Sequence, residues 1–310
     1  MHCYNQKMTV KIKIPNVTER VGEGALLSLL IDVVSKSESA SGEVIWDFSG
    51  VSILHPFFLA SLSIYKNSTS KFIDCINMSL HVQSLMNKLF FDPMLHFEND
   101  QQDVMSEVLS EYEQKPYIPL CSFAMSEANK DALGSVIQRI IVQQTQIPLQ
   151  GITCVNYFIS ELLDNIFEHS CSPKGYVFSQ LSSDRKDINL CIADSGITIF
   201  QSYLKANLHQ QEIAGDETTA LWLANEGYST KNRPEAENRG YGISTTRRML
   251  VEGLGGAFFM MSGSAFYRCE KNSGNIFIDL KKLFRWNGTM IWLKIPVTVS
   301  KSFNYVDYLE

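Results

Sequence analysis

The amino-acid sequence predicts an α+β protein with a small α/β domain followed by a larger domain of helices and a mixed sheet. In the first part of the chain, apolar segments of period two alternate with segments of helical period, as in alternating strands and helices. In the second half, helical segments come first and a run of strands closes the chain, which is typical of α+β domains. The polar, acidic residues 99–116 divide the two parts. We therefore expect domains at 1–98 and 117–300, a linker at 99–116 and a tail at 301–310.

Three strands, each followed by a helix, are predicted for the first domain. Residues 8–14 alternate apolar and polar side chains, and the segment 43–48 is a buried strand that ends at a Ser-Gly turn. Pro56 suits the first turn of a helix, where its missing N–H costs no hydrogen bond. The predicted order is strand 8–14, helix 23–36, strand 43–48, helix 56–66, strand 72–76 and helix 79–91.

The second domain is predicted to place most of its strands after its helices. Residues 127–145 carry apolar side chains at helical spacing, and Gly255-Gly256 is a stop signal for the helix that precedes it. The predicted elements are strand 118–124, helices 127–145 and 152–170, strands 175–181 and 187–193, helix 242–254, and strands 257–262, 265–269, 275–280 and 289–295.

Composition and charge limit the classes of protein to which this chain can belong. Hydrophobic residues make up 45% of the chain and the net charge is −6, so the chain has the composition of a globular protein and lacks a global basic field. We therefore expect no nucleic-acid or membrane partner. The seven cysteines form no CxxC pair, which favours reduced thiols over a zinc site or a disulfide framework. The N-terminal residues lack the apolar core of a signal peptide, and a cytoplasmic location is expected.

Two short motifs suggest a site for a nucleotide and a cation. Glu161 and Asn165 are four residues apart on a predicted helix and so share one face. The amide oxygen of Asn165 can ligate Mg²⁺, and Glu161 can orient or deprotonate a water molecule. Asp194 ends a predicted strand, where it can accept a hydrogen bond from an adenine amino group, and Gly196 permits close approach of the backbone. Taken singly, the helix pair is better explained as a solvated helix face, and the Asp-Ser-Gly segment is a weak signal that an ordinary turn also explains.

Two further motifs follow along the chain. Arg239, Gly240 and Gly242 precede or open a predicted helix, and glycines at such a position present backbone N–H groups to an anion. The dinucleotide-binding fingerprint and the P-loop are both excluded, because the third glycine and the GK[ST] sequence are missing. Thr289 stands in an Asn-Gly-Thr turn before the last predicted strand.

In this order the four motifs resemble the nucleotide site of the GHKL ATPases, the family of gyrase, Hsp-type chaperone, histidine-kinase and MutL ATPase domains. The segment 156–295 resembles the family along nearly its whole length, and it is most similar to anti-sigma-factor serine kinases and histidine-kinase-like ATP domains. The resemblance implies a two-layer α/β sandwich that binds ATP and Mg²⁺. It implies Glu161 as the catalytic glutamate, Asn165 as the Mg²⁺ ligand, Asp194, Gly196 and Thr289 at the adenine, and Gly240 and Gly242 beside the phosphates.

Residues 201–238 contain two helical patches, and the resemblance implies that this segment is a mobile ATP lid. Lys231, Arg233 and Arg239 are then available to phosphate oxygens, although Lys231 and Arg233 fit solvated charges of the lid equally well. The sequence departs from the family pattern at Thr198, which replaces the second glycine of D-x-G-x-G and weakens the expected hinge of the lid. In the first domain, residues 44–65 resemble the central strand and helix of a STAS domain, with Pro56 at the position where such antagonists carry a phosphorylatable serine.

Three functional hypotheses follow from these residues. The first is a regulatory switch that binds Mg-ATP, hydrolyses it slowly and acts through a protein partner, through an internal contact with the STAS-like domain, or as a homodimer. The second is a protein serine/threonine kinase of the anti-sigma-factor type, and the third is a scaffold without turnover. A histidine autokinase is disfavoured because no H-[ED]-x-x-[NT]-P motif accompanies the ATP domain.

Overall fold

A computed structural model describes residues 9–19, 21–144, 149–228, 242–280, 284–298 and 303–308. The chain divides into two compact units, Met1–Met94 and Leu95–Glu310. Both units combine helices with a β-sheet, and the protein is α+β with a mixed sheet in the larger unit. Within the described ranges, none of the helices combines the length and apolar character that a bilayer span requires.

The first unit contains a three-stranded parallel sheet in the order β1-β2-β3. Parallel neighbours cannot be joined by a tight turn, and a helix makes each crossover. His55 caps the second helix, because its Nδ1 accepts a hydrogen bond from the nitrogen of Phe57 at 3.1 Å, and Pro56 occupies the first turn as predicted. The elements are β1 (Val10–Lys13), α1 (Glu23–Ser39), β2 (Val44–Asp47), α2 (Pro56–Ser68), β3 (Ile73–Ile76) and α3 (Leu80–Lys88).

The second unit contains an eight-stranded sheet in the order β10-β9-β8-β11-β7-β6-β5-β4. All neighbours are antiparallel except β4 and β5, which run parallel. The last strand of the chain, β11, lies between β8 and β7 in the sheet. The C-terminal part of the chain therefore pairs with a strand from its central part. The strands are β4 (Leu95–Phe97), β5 (Tyr117–Ala124), β6 (Lys174–Leu181), β7 (Asp187–Asp194), β8 (Ala257–Gly263), β9 (Ala265–Glu270), β10 (Gly274–Asp279) and β11 (Trp286–Pro296).

The helices of this unit form two runs along the chain, one before β6 and one after β7. Most of them contact strands of the sheet directly: α4 meets β4, α5 meets β5, α6 meets β7, α7 meets β8, and α9 meets β8, β9 and β10. The helices are α4 (Gln102–Ser110), α5 (Glu127–Gln144), α6 (Leu149–His169), α7 (Ile199–Ala206), α8 (Gln210–Ile213), α9 (Glu217–Asn225) and α10 (Gly242–Arg248).

The residues predicted as a linker, 99–116, carry a packed helix. Helix α4 buries Met105 and Leu109 completely and packs against α5. It makes the crossover between β4 and β5, which are parallel and need such a connection. Strand β4 has only three residues, too few for a period-two pattern to stand out in the sequence.

The helix predicted at 242–254 changes its winding partway. Helix α10 ends at Arg248 and continues as a π-helical turn at Met249–Gly253, where the nitrogen of Leu254 donates to the oxygen of Met249 at 2.9 Å. The predicted tail also packs on this turn. A Cβ added at Gly253 would lie 2.5 Å from the ring of Phe303, which is itself buried.

Candidate functional site

Asp194 occupies the last position of β7, a strand with neighbours on both sides. Its side chain is buried, with 2% of the residue exposed. Oδ1 accepts a hydrogen bond from the nitrogen of Gly196 at 2.8 Å, and Oδ2 accepts one from the nitrogen of Thr289 at 3.2 Å. Burial raises the pKa of the Asp194 carboxyl to about 7, although both hydrogen bonds lower it. Each oxygen keeps a second lone pair that could accept from a ligand.

The turn before β11 is shaped around this carboxylate. Gly288 has φ +78°, a conformation that favours glycine, and a Cβ there would lie 2.4 Å from the backbone oxygen of Asp194. The hydroxyl of Thr289 lies 3.1 Å from that of Ser262, which also donates to the oxygen of Gly288 at 3.0 Å. The structure therefore brings Asp194 and Thr289 together, as predicted, and fixes their separation through Gly288.

At Gly196, the space that a side chain would need is filled by the protein backbone. A Cβ at this position would lie 2.0 Å from the backbone oxygen of Ser170, the residue that follows α6. The same oxygen accepts a hydrogen bond from the nitrogen of Ile197 at 2.7 Å. Glycine at 196 is thus required for packing the end of β7 against the end of α6.

Glu161 and Asn165 lie together on α6, half-buried, as their spacing predicts. The amide nitrogen of Asn165 donates to the backbone oxygen of Glu161 at 2.8 Å, and the amide oxygen is the atom suited to a hard cation. Asn165 precedes Ser170 by five residues, about 7 Å along a helix axis. The Glu161–Asn165 pair and the Asp194 group are therefore linked through one end of α6.

Gly242 is the point where α10 approaches Glu161. A Cβ at Gly242 would lie 2.1 Å from Oε2 of Glu161, so the carboxylate rests directly against the first residue of α10. Nearby, burial raises the pKa of Tyr157 and the charge of Glu161 raises it further, while a hydrogen bond with Thr245 of α10 lowers it. The structure thus brings Glu161 and Gly242 together.

Two predicted site residues, Arg239 and Gly240, lie outside the described residues. The same holds for Lys231 and Arg233 of the predicted lid.

The described part of the predicted lid, 201–228, is largely helical, where the sequence predicts two helical patches. Helices α7, α8 and α9 enclose a small core against which Ile243 at the start of α10 also packs. Thr198 caps α7: its hydroxyl accepts from the nitrogen of Gln201 at 3.2 Å, and the Gln201 side chain accepts from the nitrogen of Thr198 at 2.9 Å. Thr198, the departure from the D-x-G-x-G pattern, thus starts a helix. The buried members of the core are Tyr203, Ile213, Ala220, Leu223 and Ala224.

Glu217, the first residue of α9, connects this helical segment to the sheet through hydrogen bonds and an ion pair. Its Oε2 accepts from the nitrogen and the hydroxyl of Ser264 at 2.6 and 2.7 Å, and Oε1 lies 2.7 Å from Nη1 of Arg285. Gly263, with φ +60°, lets the carboxylate approach, because a Cβ there would lie 2.5 Å from both of its oxygens. These bonds join α9 to the β8–β9 turn.

A protein-only metal cage is not formed by the part of the chain that the structure describes. No group of three or more histidine, cysteine, aspartate or glutamate side chains in those ranges could hold an ion. Mg²⁺ commonly binds through one or two protein groups, with water and substrate phosphates as its other ligands. Asn165 fits that mode of binding.

Comparison of the chain with protein-family models, with curated proteins and with solved structures found no match. The function of the site is therefore inferred from its geometry and chemistry. Sequence reasoning missed Ser170 and Ser262, which connect the site through their backbone oxygen and hydroxyl, respectively. No local motif marks either residue, since both act on segments distant in the sequence.

Proposed function

We propose that the second unit binds Mg-ATP around Asp194, Asn165 and Glu161 and acts as a nucleotide-dependent regulatory switch of the GHKL type. The observation that carries the proposal is the meeting of segments far apart in sequence. The end of β7, the turn before β11, helix α6 and the start of α10 are connected by hydrogen bonds or close contacts. These are the motifs whose order resembles the GHKL ATPases.

Each described residue has a chemical role in this proposal. Ionised Asp194 accepts from the adenine amino group while its two backbone donors hold it in place. Asn165 would hold Mg²⁺ through its amide oxygen, and the cation would offset the negative charge of the phosphates. Glu161 orients or deprotonates the water that attacks the terminal phosphate. The protein thereby controls the orientation of the nucleotide through α6 and β7.

The regulatory part of the proposal rests on the architecture of the chain. The first unit is a compact parallel α/β module in which strands and helices alternate as predicted. A module of this kind beside a nucleotide-binding unit suits control of protein contacts by ATP. We propose a protein as the partner of the switch.

Calorimetry with Mg-ATP tests the nucleotide site. Asp194→Ala should weaken binding roughly tenfold or more, as for a hydrogen bond to a charged group that is left unmade. Asp187→Asn is the matched control, because Asp187 begins the same strand and is not part of the site. Equal binding by wild type and Asp194→Ala, or no binding by folded wild type, would refute the proposal.

Glu161→Ala separates turnover from binding. Loss of phosphate release with retained ATP affinity is expected for an enzyme, because Glu161 acts on the attacking water rather than on the base. Transfer of radiolabelled phosphate to a protein hydroxyl would instead identify a kinase. Binding without any release or transfer would identify a scaffold.

A further inference from the structure

Arg247 of α10 is a buried cation that lacks a charged partner in the described parts of the chain. Only 9% of the residue is exposed, and it forms no ion pair with any described residue. Its Nη1 donates to the neutral amide oxygen of Asn275 at 3.3 Å, a long hydrogen bond, and its Nε is buried with no hydrogen-bond partner. Charged side chains that are buried to this degree are normally paired.

The two side chains that the structure places against the guanidinium, Asn275 and Tyr267, are neutral, and Tyr267 also hydrogen-bonds Arg247. The hydroxyl of Tyr267 donates to the same oxygen of Asn275 at 2.7 Å. Burial raises the pKa of Tyr267, so that its hydroxyl remains protonated. The oxygen of Asn275 thus receives two donors, and its amide nitrogen is a further donor beside Arg247. Asn275 itself is exposed, so the cluster reaches the surface at β10, an edge strand of the sheet.

We infer that Arg247 and Asn275 form a binding site for the carboxylate of a small molecule, between α10 and the edge of the sheet. A carboxylate carries one negative charge and accepts two parallel hydrogen bonds from a guanidinium, which matches a single arginine without a charged partner among the described residues. A phosphate dianion would need a second cation, and Arg247 is the one cationic residue described in this cluster.

This site is separate from the proposed nucleotide site. Thr245 of α10 bonds to Tyr157 of α6, whereas Arg247 bonds to β10. Residues two apart on a helix point roughly 200° apart, so these side chains leave opposite sides of α10. A carboxylate at Arg247 would therefore act on α10 from the side opposite to Glu161.

Acetate is the probe for a direct test by NMR. Wild-type protein labelled with ¹⁵N should show one arginine Nε–H signal that shifts to saturation with acetate and does not shift with chloride at the same ionic strength. The signal should be missing in Arg247→Lys, which keeps the charge and removes the planar fork. In Asp194→Asn the acetate shift should persist, which keeps this result independent of the nucleotide proposal. No saturable shift, or tighter binding of phosphate than of acetate, would overturn the inference.

Asn275→Asp provides a second test that does not require the loss of the arginine. The new carboxylate would lie against the guanidinium, so the variant should unfold at a higher temperature than wild type and bind acetate at least tenfold more weakly. Ser273→Asp is the control, because it adds the same charge at an exposed position on the turn before β10. Unchanged acetate affinity in Asn275→Asp would contradict a site at Arg247.

Discussion

The backbone nitrogen of Thr289 lies 3.2 Å from Oδ2 of Asp194, so a residue 95 positions later in the chain holds this carboxylate. The nitrogen of Gly196 holds the other oxygen at 2.8 Å. Burial nevertheless dominates and raises the pKa of Asp194 to about 7. The protein therefore maintains a carboxyl group that changes its charge near neutral pH.

This pKa gives the folded protein a distinctive dependence on pH. The unfolded carboxyl ionises near its ordinary value of 3.8, whereas the folded one stays protonated up to about 7. Between these values the folded state binds more protons, so stability from this group falls as pH rises, by at most about 1.4 kcal/mol per pH unit. Urea denaturation of wild type and Asp194→Asn at pH values from about 4 to about 7 measures this dependence. If the free energy of unfolding changed with pH equally in wild type and Asp194→Asn, this expectation would be contradicted.

Nucleotide affinity should respond in the opposite direction. The adenine amino group needs the ionised carboxylate as its acceptor, so Mg-ATP should bind more tightly as pH rises through about 7. Below that value, affinity should fall up to about tenfold per pH unit. Calorimetry across this range provides the measurement, with Asp194→Asn as the variant whose affinity should be weak and nearly flat. A wild-type affinity independent of pH would argue against contact between adenine and Asp194.

Gly288→Ala should be strongly destabilising because two penalties act together. The backbone has φ +78°, and the added Cβ would lie 2.4 Å from the backbone oxygen of Asp194. Gly274→Ala is a matched control, with φ +64° and nothing within 4 Å of the added atom. We expect a loss of about 1–2 kcal/mol for the control and roughly 3 kcal/mol or more for Gly288→Ala, measured by urea denaturation. Equal losses would show that the turn adapts without disturbing Asp194.

Local patterns in the sequence predicted most elements and several site pairs. The helix predicted at 127–145 is Glu127–Gln144 in the structure, because its apolar residues keep helical spacing. Glu161 and Asn165 share a face for the same reason. The contact of Gly196 with Ser170 could not be predicted, since it depends on how the ends of β7 and α6 meet in space. Helical patches were predicted within residues 201–238, but the small core of 201–228 could not be predicted, because it also needs Ile243 of α10.

Glu217→Ala should loosen the helical segment that Glu217 fastens to the sheet. The substitution leaves the nitrogen and hydroxyl of Ser264 without their acceptor and should cost about 1.5–3 kcal/mol. The half-exposed ion pair with Arg285 adds little. Hydrogen exchange should show lower protection in α9, and the exposed Glu226→Ala should change stability by less than about 0.5 kcal/mol. Unchanged exchange in Glu217→Ala would show that the small core alone holds α9.

Substitutions at Thr198 test whether the hydroxyl of this residue stabilises the start of α7 as a helix cap. Its hydroxyl accepts from the nitrogen of Gln201, so Thr198→Ala should cost about 1 kcal/mol of stability. Thr198→Gly should cost only a few tenths of a kcal/mol as a cap, because glycine is tolerated there, and Thr198→Ser should retain the bond. Thermal or urea denaturation gives the order, and equal losses for alanine and serine would refute the capping role. If the order holds and Thr198→Gly also accelerates hydrogen exchange in α7, the threonine restrains the start of this helix.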